Sequence, residues 1–288
     1  MEVIVERMTE GYEMNIKTVD HCILEEVLNV WNEGFSDYFV PVNMEIDGFL
    51  NRMEKEGLDA SSSFVVEEDG QLQGILLNAF DEKNGDMLAW NGGTAVHPKV
   101  RRKGVGRLLL QRAIEEYQVR GVKRASLEAI KENTGAIRLY EEFGYKIKDE
   151  LITFKGHVDK QGTMDVTFIQ PEELSKLSIY HDEVPWQCRI ESNRSAQAAV
   201  FYDQSKNPIG YALFKPIGDE ERKINIFQME VLDSVSPDDF LGMLSCMTGG
   251  GGFNTVNTRA SSRAANYIRH FKTDEVIRQV WMERNLSN

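Results

Sequence analysis

Residues 96 to 107 read Val-His-Pro-Lys-Val-Arg-Arg-Lys-Gly-Val-Gly-Arg, setting five cations and two glycines at the junction of a strand pattern and a helix pattern. The apolar stretch from Met87-Leu88-Ala89-Trp90 to Ala95-Val96 predicts the strand. Downstream, Leu108, Leu109, Leu110, Ala113, Ile114 and Tyr117 recur at helical spacing. A helix start leaves backbone N–H groups without intrahelical partners and carries roughly half a positive charge, so it attracts anions. Glycines at 104 and 106 let a phosphate reach the backbone without meeting a Cβ atom. Cations at this end oppose the helix dipole unless a ligand offsets them. Lys99, Arg101, Arg102, Lys103 and Arg107 stand there without a carboxylate in an otherwise acidic chain, and a pyrophosphate accounts for them. A solvated basic turn is the plainer alternative.

Several phosphate loops can be compared with these residues. The dinucleotide pattern G-x-G-x-x-G/A needs a small residue where Leu109 stands, and the kinase glycine loop lacks the same third glycine. No Gly-Lys-Ser/Thr run of a P-loop occurs. What remains is Arg101-x-x-Gly104-x-Gly106 after His97-Pro98. Further on, Val122 to Ala129 predicts a strand, followed by Asn133 and the helical run Thr134-Gly135-Ala136-Ile137-Arg138-Leu139-Tyr140-Glu141-Glu142-Phe143 before Gly144-Tyr145. Asn133 suits an N-cap and Gly144 a left-handed C′ position.

The first pattern resembles the Q/R-x-x-G-x-G/A coenzyme-binding motif of the GNAT superfamily of N-acetyltransferases. The second resembles that family's Asn-x-x-A-x-x-x-Y-x-x-x-G-F/Y signature, and both stand in the family's order. The resemblance implies an acetyl-CoA-dependent N-acetyltransferase acting by direct transfer in a ternary complex. Ala95 and Val96 would hold the pantetheine arm and thioester, and Arg101, Arg102, Lys103, Gly104, Val105, Gly106 and Arg107 the pyrophosphate. Asn133 would contact the arm, and Tyr140 would protonate the departing sulfur. The chemistry agrees, since a thiol near pKa 8.5 and a phenol near roughly 10 are close enough for that transfer. Tyr140 also reads as an ordinary core aromatic on an amphipathic helix. The Asn91-Gly92-Gly93-Thr94 stretch suits a bulge where this strand parts from its neighbour, exposing a backbone donor for the oxyanion. No acidic residue lies between Asp86 and Glu115, so the sequence identifies no base; a water relay, Asp37 and Glu128 are open alternatives.

These residues need a scaffold, and the resemblance implies an α/β mixed sheet, the GNAT acyl-CoA N-acyltransferase fold, over about residues 10 to 158. Tyr12 to Lys17 alternates as a strand, and Asp20 to Trp31 and Glu45 to Lys55 are amphipathic helices. Phe64 to Glu67 and Leu72 to Phe80 are strands joined at Asp69-Gly70. Asn84-Gly85 turns the chain into the strand ending at Val96, and Ile147 to Phe154 would close the sheet. Between the two helices, Phe35, Tyr38 and Phe39 surround Asp37, either as helix-end core or as an acceptor pocket that holds a cationic amine; Trp90 is a further candidate there.

The length of 288 residues predicts two domains, residues 1–158 catalytic and 159–288 a second, degenerate GNAT-like domain. That half repeats the layout, with strands over Asp165–Ile169, Ala198–Tyr202, Ile209–Phe214, Ile224–Val231 and Thr255–Thr258. Helices are expected from Pro171-Glu172-Glu173-Leu174, over Pro237–Met247 and over Ser261–Phe271, and Gly249 to Gly252 reads as a loop. Where the phosphate loop would fall stands Leu232-Asp233-Ser234-Val235-Ser236-Pro237-Asp238-Asp239, without glycine or cation, so this half should not bind CoA. Walling the acceptor pocket, binding an effector and forming a homodimer remain open to it. A net charge of −13 argues against nucleic acid and anionic membrane as partners. Three scattered cysteines form no metal pattern, no metal is expected, and the N-terminal six residues lack an export signal, so the chain reads as cytoplasmic. The acceptor is a small-molecule or peptide amine; a non-catalytic acyl-CoA sensor is the competing function.

Overall fold

The computed structural model describes residues 8–9, 12–159, 163–218 and 222–286, so the expectation about the N-terminal six residues lies outside them. Two compact units emerge: residues up to Lys148 together with those from Met282 onward, and Asp149–Trp281. The division falls inside a strand, ahead of the expected boundary at 158, and the chain end returns to the first unit.

The first unit runs β1 (Met8–Thr9), β2 (Tyr12–Thr18), α1 (Leu24–Gly34), α2 (Ile46–Glu56), β3 (Phe64–Glu68), β4 (Gln71–Lys83), β5 (Asp86–Val96), α3 (Val105–Val119), β6 (Arg124–Ile130) and α4 (Thr134–Glu142). It takes the start of β7 (Lys146–His157) and the end of β14 (Thr273–Asn285). Strands β1 to β5 form an antiparallel meander, and β6 adds parallel to β5. Both expected hairpin turns are built on positive φ at both central residues, Asp69-Gly70 and Asn84-Gly85, matching the twist of the flanking strands.

Helices α1 and α3 cover opposite faces of this sheet. Neighbouring residues on a strand point to opposite sides. A Cβ at Gly34 of α1 would lie 2.7 Å from that of Ala95, whereas one at Gly74, the partner of Val96, would lie 2.7 Å from Val105 of α3. Trp31 and Phe49 fill the first face; Leu109, Leu110 and Tyr117 fill the second. Two buried polar side chains pair with each other there: Tyr117 donates to Asn78 Oδ1 at 2.6 Å, and Asn78 Nδ2 donates to the Ser62 carbonyl at 2.6 Å.

The strand closing this sheet differs from expectation. Only Lys146–Lys148 of β7 belongs to the first unit, and the segment from Met282 lies beside β6. Lys148 Nζ meets Glu283 Oε2 at 2.7 Å, and the Leu286 amide donates to the Lys123 carbonyl at 2.8 Å. A strand pattern states that a segment wants an edge but not which edge it takes.

The second unit holds the rest of β7 and β14, with β8 (Asp165–Ile169), β9 (Gln197–Tyr202), β10 (Pro208–Pro216), β11 (Lys223–Val231), α5 (Pro237–Thr248), β12 (Gly252–Thr255), β13 (Thr258–Arg259) and α6 (Arg263–Arg269). Strands β8 to β11 are antiparallel, and β11 and β12 form a parallel pair around α5, as β5 and β6 do around α3. The Pro171 segment is a 3-10 turn closed by a Gln170–Glu173 capping box rather than a full helix. Thr255 to Thr258 is split between β12 and β13, because Asn257 takes positive φ.

Candidate active site

The site begins with a defect in β5. Leu77 of β4 faces Gly93 and Asn78 faces Asn91, leaving Gly92 unmatched, which is a bulge at the expected place. Side chains here would collide: a Cβ at Gly92 would lie 2.6 Å from Leu58, and one at Gly93 2.6 Å from Trp31. The pairing of β5 with β6 stops at Asn91↔Leu127. Beyond it, the His97 amide still donates to Gln73 of β4 at 2.9 Å, so by alternation the Val96 amide faces the opposite, opened edge.

The opened edge leads to the start of α3. Gly104 is its N-cap at φ 92°, and no side chain caps the helix, so its first N–H groups face outward. Open space surrounds the Gly104 Cα where a Cβ would stand. Arg102 and Lys103 are exposed beside it. His97 braces the entry: its Nδ1 accepts from the Lys99 amide at 3.2 Å while Nε2 meets Glu33 at 2.6 Å.

Across the gap, Asn133 caps α4 through its Oδ1, which accepts from the Ala136 amide at 3.2 Å, and Gly144 ends the turn at φ 83°. Tyr140 is 7% exposed, and burial pushes its phenol up to about 12 against a partly compensating bond with Thr94. Its neighbour Tyr38 carries a phenol raised by burial and lowered by the Asn133 side chain and the Ile130 backbone. Two phenols and two open strand ends therefore converge.

Residues 24–145 match the acetyltransferase (GNAT) family model. The first unit is a GNAT-family domain. An acetyltransferase of Sodalis glossinidius (strain morsitans) is 28% identical over 142 residues, covering 48% of this chain and 92% of the relative. Among solved structures, a GCN5-related N-acetyltransferase from Sphaerobacter thermophilus superposes with a TM-score of 0.65 at 14% identity, covering 96% of both chains. A tandem GNAT protein from the clavulanic acid biosynthesis pathway gives a TM-score of 0.65 at 12% identity over 96% of this chain and 99% of that one. The GNAT fold therefore holds for this molecule, and the family matched by its first unit is one of acyltransferases.

Several site residues behave differently from their sequence assignment. The Arg101 side chain is committed elsewhere: its Nη1 and Nη2 donate to the two Asp37 carboxylate oxygens at 2.6 Å each, Nη2 to the Gly34 carbonyl at 2.9 Å and Nε to the Val96 carbonyl at 3.2 Å. That bidentate bond pairs the two charges with each other, where the sequence assigned Arg101 to the pyrophosphate and Asp37 to the acceptor or the base. The guanidinium beside it holds the Asp37 carboxyl below its ordinary value. Arg107 reaches Glu142 on α4 instead of pointing into the loop. Trp90, assigned to the acceptor pocket, is 1% exposed and donates through Nε1 to Glu128 Oε2 at 2.7 Å, so its ring is core. Phe35 packs between Trp31, tilted at 4.6 Å between ring centroids, and Tyr38, edge-on at 4.9 Å, extending the same core toward the surface. Ala95 is buried against α1, Gly104 is the N-cap of α3, and the Val105 side chain is buried against Gly74 of β4. Arg52 of α2, which carries no sequence signal, donates to the Gly92 carbonyl at the bulge.

Among the described residues no group of three or more His, Cys, Asp or Glu is arranged to hold a metal, and no helix is long and apolar enough to cross a membrane.

Proposed function

We propose that this chain transfers the acetyl group of acetyl-CoA to a primary amine of a small molecule or peptide. The observation that carries the reading is a single path: the uncapped start of α3, the opened edge of β5, then the phenol of Tyr140. The residues present fit the coenzyme, since Gly104 leaves open space at a helix end whose N–H groups lack partners. Arg102 and Lys103, with the backbone of Gly104, Val105, Gly106 and Arg107, hold the diphosphate; Val96 and Asn133 flank the arm. Bound there, the thioester supplies an activated acyl carbon. The Val96 amide stabilises charge on the acyl oxygen, and Tyr140 gives a proton to the departing sulfur. With Asp37 held by Arg101, the amine proton passes to water or to Glu128.

Thiol release measured with a panel of amines tests the reading. Turnover with at least one amine, slowed roughly 100-fold or more in Tyr140→Phe with coenzyme affinity retained, is expected. Tight binding of acetyl-CoA with no release above background for any acceptor would make the chain a sensor instead.

The second unit takes no coenzyme in this reading. Ser236 and Asp239 cap the start of α5 reciprocally, and Arg263 is paired with Asp233. The helix end equivalent to the phosphate site is thus filled by its own acidic side chains.

A further inference from the structure

The second unit keeps the defect that opens the first unit's site and lines it differently. The parallel pairing of β11 with β12 ends at Ile226↔Thr255, as that of β5 with β6 ends at Asn91↔Leu127. In both units the next residue is a bulge: Leu213 faces Gln228 and Phe214 faces Ile226, which leaves Phe227 unmatched. Gln228 therefore stands at the register position that Gly93 holds in the first unit, and Glu230 at that of Ala95. Where the first unit has two small residues, the second has two hydrogen-bond acceptors on one face of the strand. A cavity of about 30 Å³ lies beside them, walled also by Ile226, Met229, Ala264 and Ile268. Roughly 10–15 Å³ holds one water, so the space takes a group of about two heavy atoms.

Both acceptors lack a partner. Gln228 is 5% exposed, and its Nε2 donates to the Cys188 carbonyl at 2.7 Å, which fixes the amide's orientation. Gln228 also lowers the Tyr180 phenol, the effect of an N–H donor, so both neighbours engage the nitrogen end. Its buried Oε1 accepts from no group among the described residues. Nothing among them donates to the Glu230 carboxylate either, and burial raises that carboxyl although His181 and Arg259 oppose the rise. Arg259 is itself paired with Asp149 through Nε at 3.1 Å. Water would offer these oxygens a hydrogen but no charge. An ammonium offers both, and its carbon stem suits the apolar walls.

We propose that this cleft binds the aminomethyl head of a primary amine, with Gln228 Oε1 and the Glu230 carboxylate accepting from the ammonium. The site is a binding site without transfer chemistry, because the acidic cap on α5 keeps a coenzyme out of this unit. It is separate from the acyl-transfer reading of the first unit and does not rest on it.

Methyl NMR of the full chain, titrated with ethylammonium chloride in excess sodium chloride, tests the site. The methyl groups of Ile226 and Met229 belong to the cavity wall and report on it locally. Saturable shifts of both are expected, with ethanol at the same concentrations giving none. Glu230→Gln keeps the shape and removes the charge, and should weaken ethylammonium roughly tenfold or more. Gln228→Met removes the other acceptor and should weaken it as well. If Gln228→Met lowers the melting temperature because the Cys188 carbonyl loses its donor, Glu230→Gln decides alone. Methyl groups that stay still, equal responses to ethylammonium and ethanol, or unchanged affinity in Glu230→Gln overturn the proposal and leave the cavity to water. Thiol release plays no part in this readout, so failure of the acetyl-transfer reading and failure of this site are told apart.

Discussion

At the scale of single residues, burial decides what each polar group can do. Tyr140 keeps its proton because desolvation disfavours the phenolate, and its value of about 12 places the titration above the working range. Turnover should therefore show no falling limb assignable to Tyr140 between pH 7 and pH 10, measured with acetyl-CoA saturating. The same shift is a stability statement. The folded phenol titrates above its unfolded value of roughly 10, so its contribution is intact below that pH and lost as pH rises through about 12. Denaturant midpoints followed across that window should fall less steeply in Tyr140→Phe, by about one proton's linkage. Arg101 shows the converse case, a charge whose partner sets its task. Arg101→Met should leave acetyl-CoA affinity within roughly threefold of the parent but raise the KM for the amine, since it frees the segment carrying Asp37 and Tyr38. A loss of coenzyme affinity matching that of a change at Gly104 would return Arg101 to the pyrophosphate. Sequence reasoning placed Arg101 in the correct loop but could not see Asp37, which is far away along the chain and adjacent only after folding.

At the scale of elements, the start of α3 is where sequence and structure agree most closely. Its glycines, the absence of a capping side chain and the left-handed turn are all local properties, legible in a short window. Gly104→Glu should weaken acetyl-CoA binding roughly tenfold or more by calorimetry, because it adds charge opposite a phosphate. Gly104→Ala is the control, carrying only the backbone cost of about 1–2 kcal/mol for a side chain in the left-handed region. Gly74 makes a separate point about packing. An added Cβ there would meet Val105 at 2.7 Å and the Ala95 carbonyl at 3.1 Å, so Gly74→Ala should cost about 1–3 kcal/mol in urea unfolding by pushing α3 from the sheet. In the second half the strand patterns over 165–169, 198–202, 209–214 and 224–231 are legible, whereas its 3-10 turns are not. Short turns of that kind, such as Trp186–Cys188, carry too few residues to show a period.

At the scale of the whole molecule, one coenzyme per chain is expected by calorimetry, and changes at Asp233 should leave that number at one. Ending the chain after Trp281 should lower the melting temperature of the first unit and reduce its coenzyme binding, because Met282 is fully buried and the segment beyond it pairs beside β6. Retention of full binding by that truncation would show the first unit to be complete without it. By itself, the sequence determined the resemblance to the family, most of the order of elements and the uncapped, glycine-bearing start of α3, all of which depend on neighbours a few residues apart. Only the tertiary structure decided that the last strand closes the first unit, that Arg101 belongs to Asp37, and that Arg52 meets the bulge. Each of those is a choice of partner across tens or hundreds of residues, made by burial and charge pairing after the chain has collapsed.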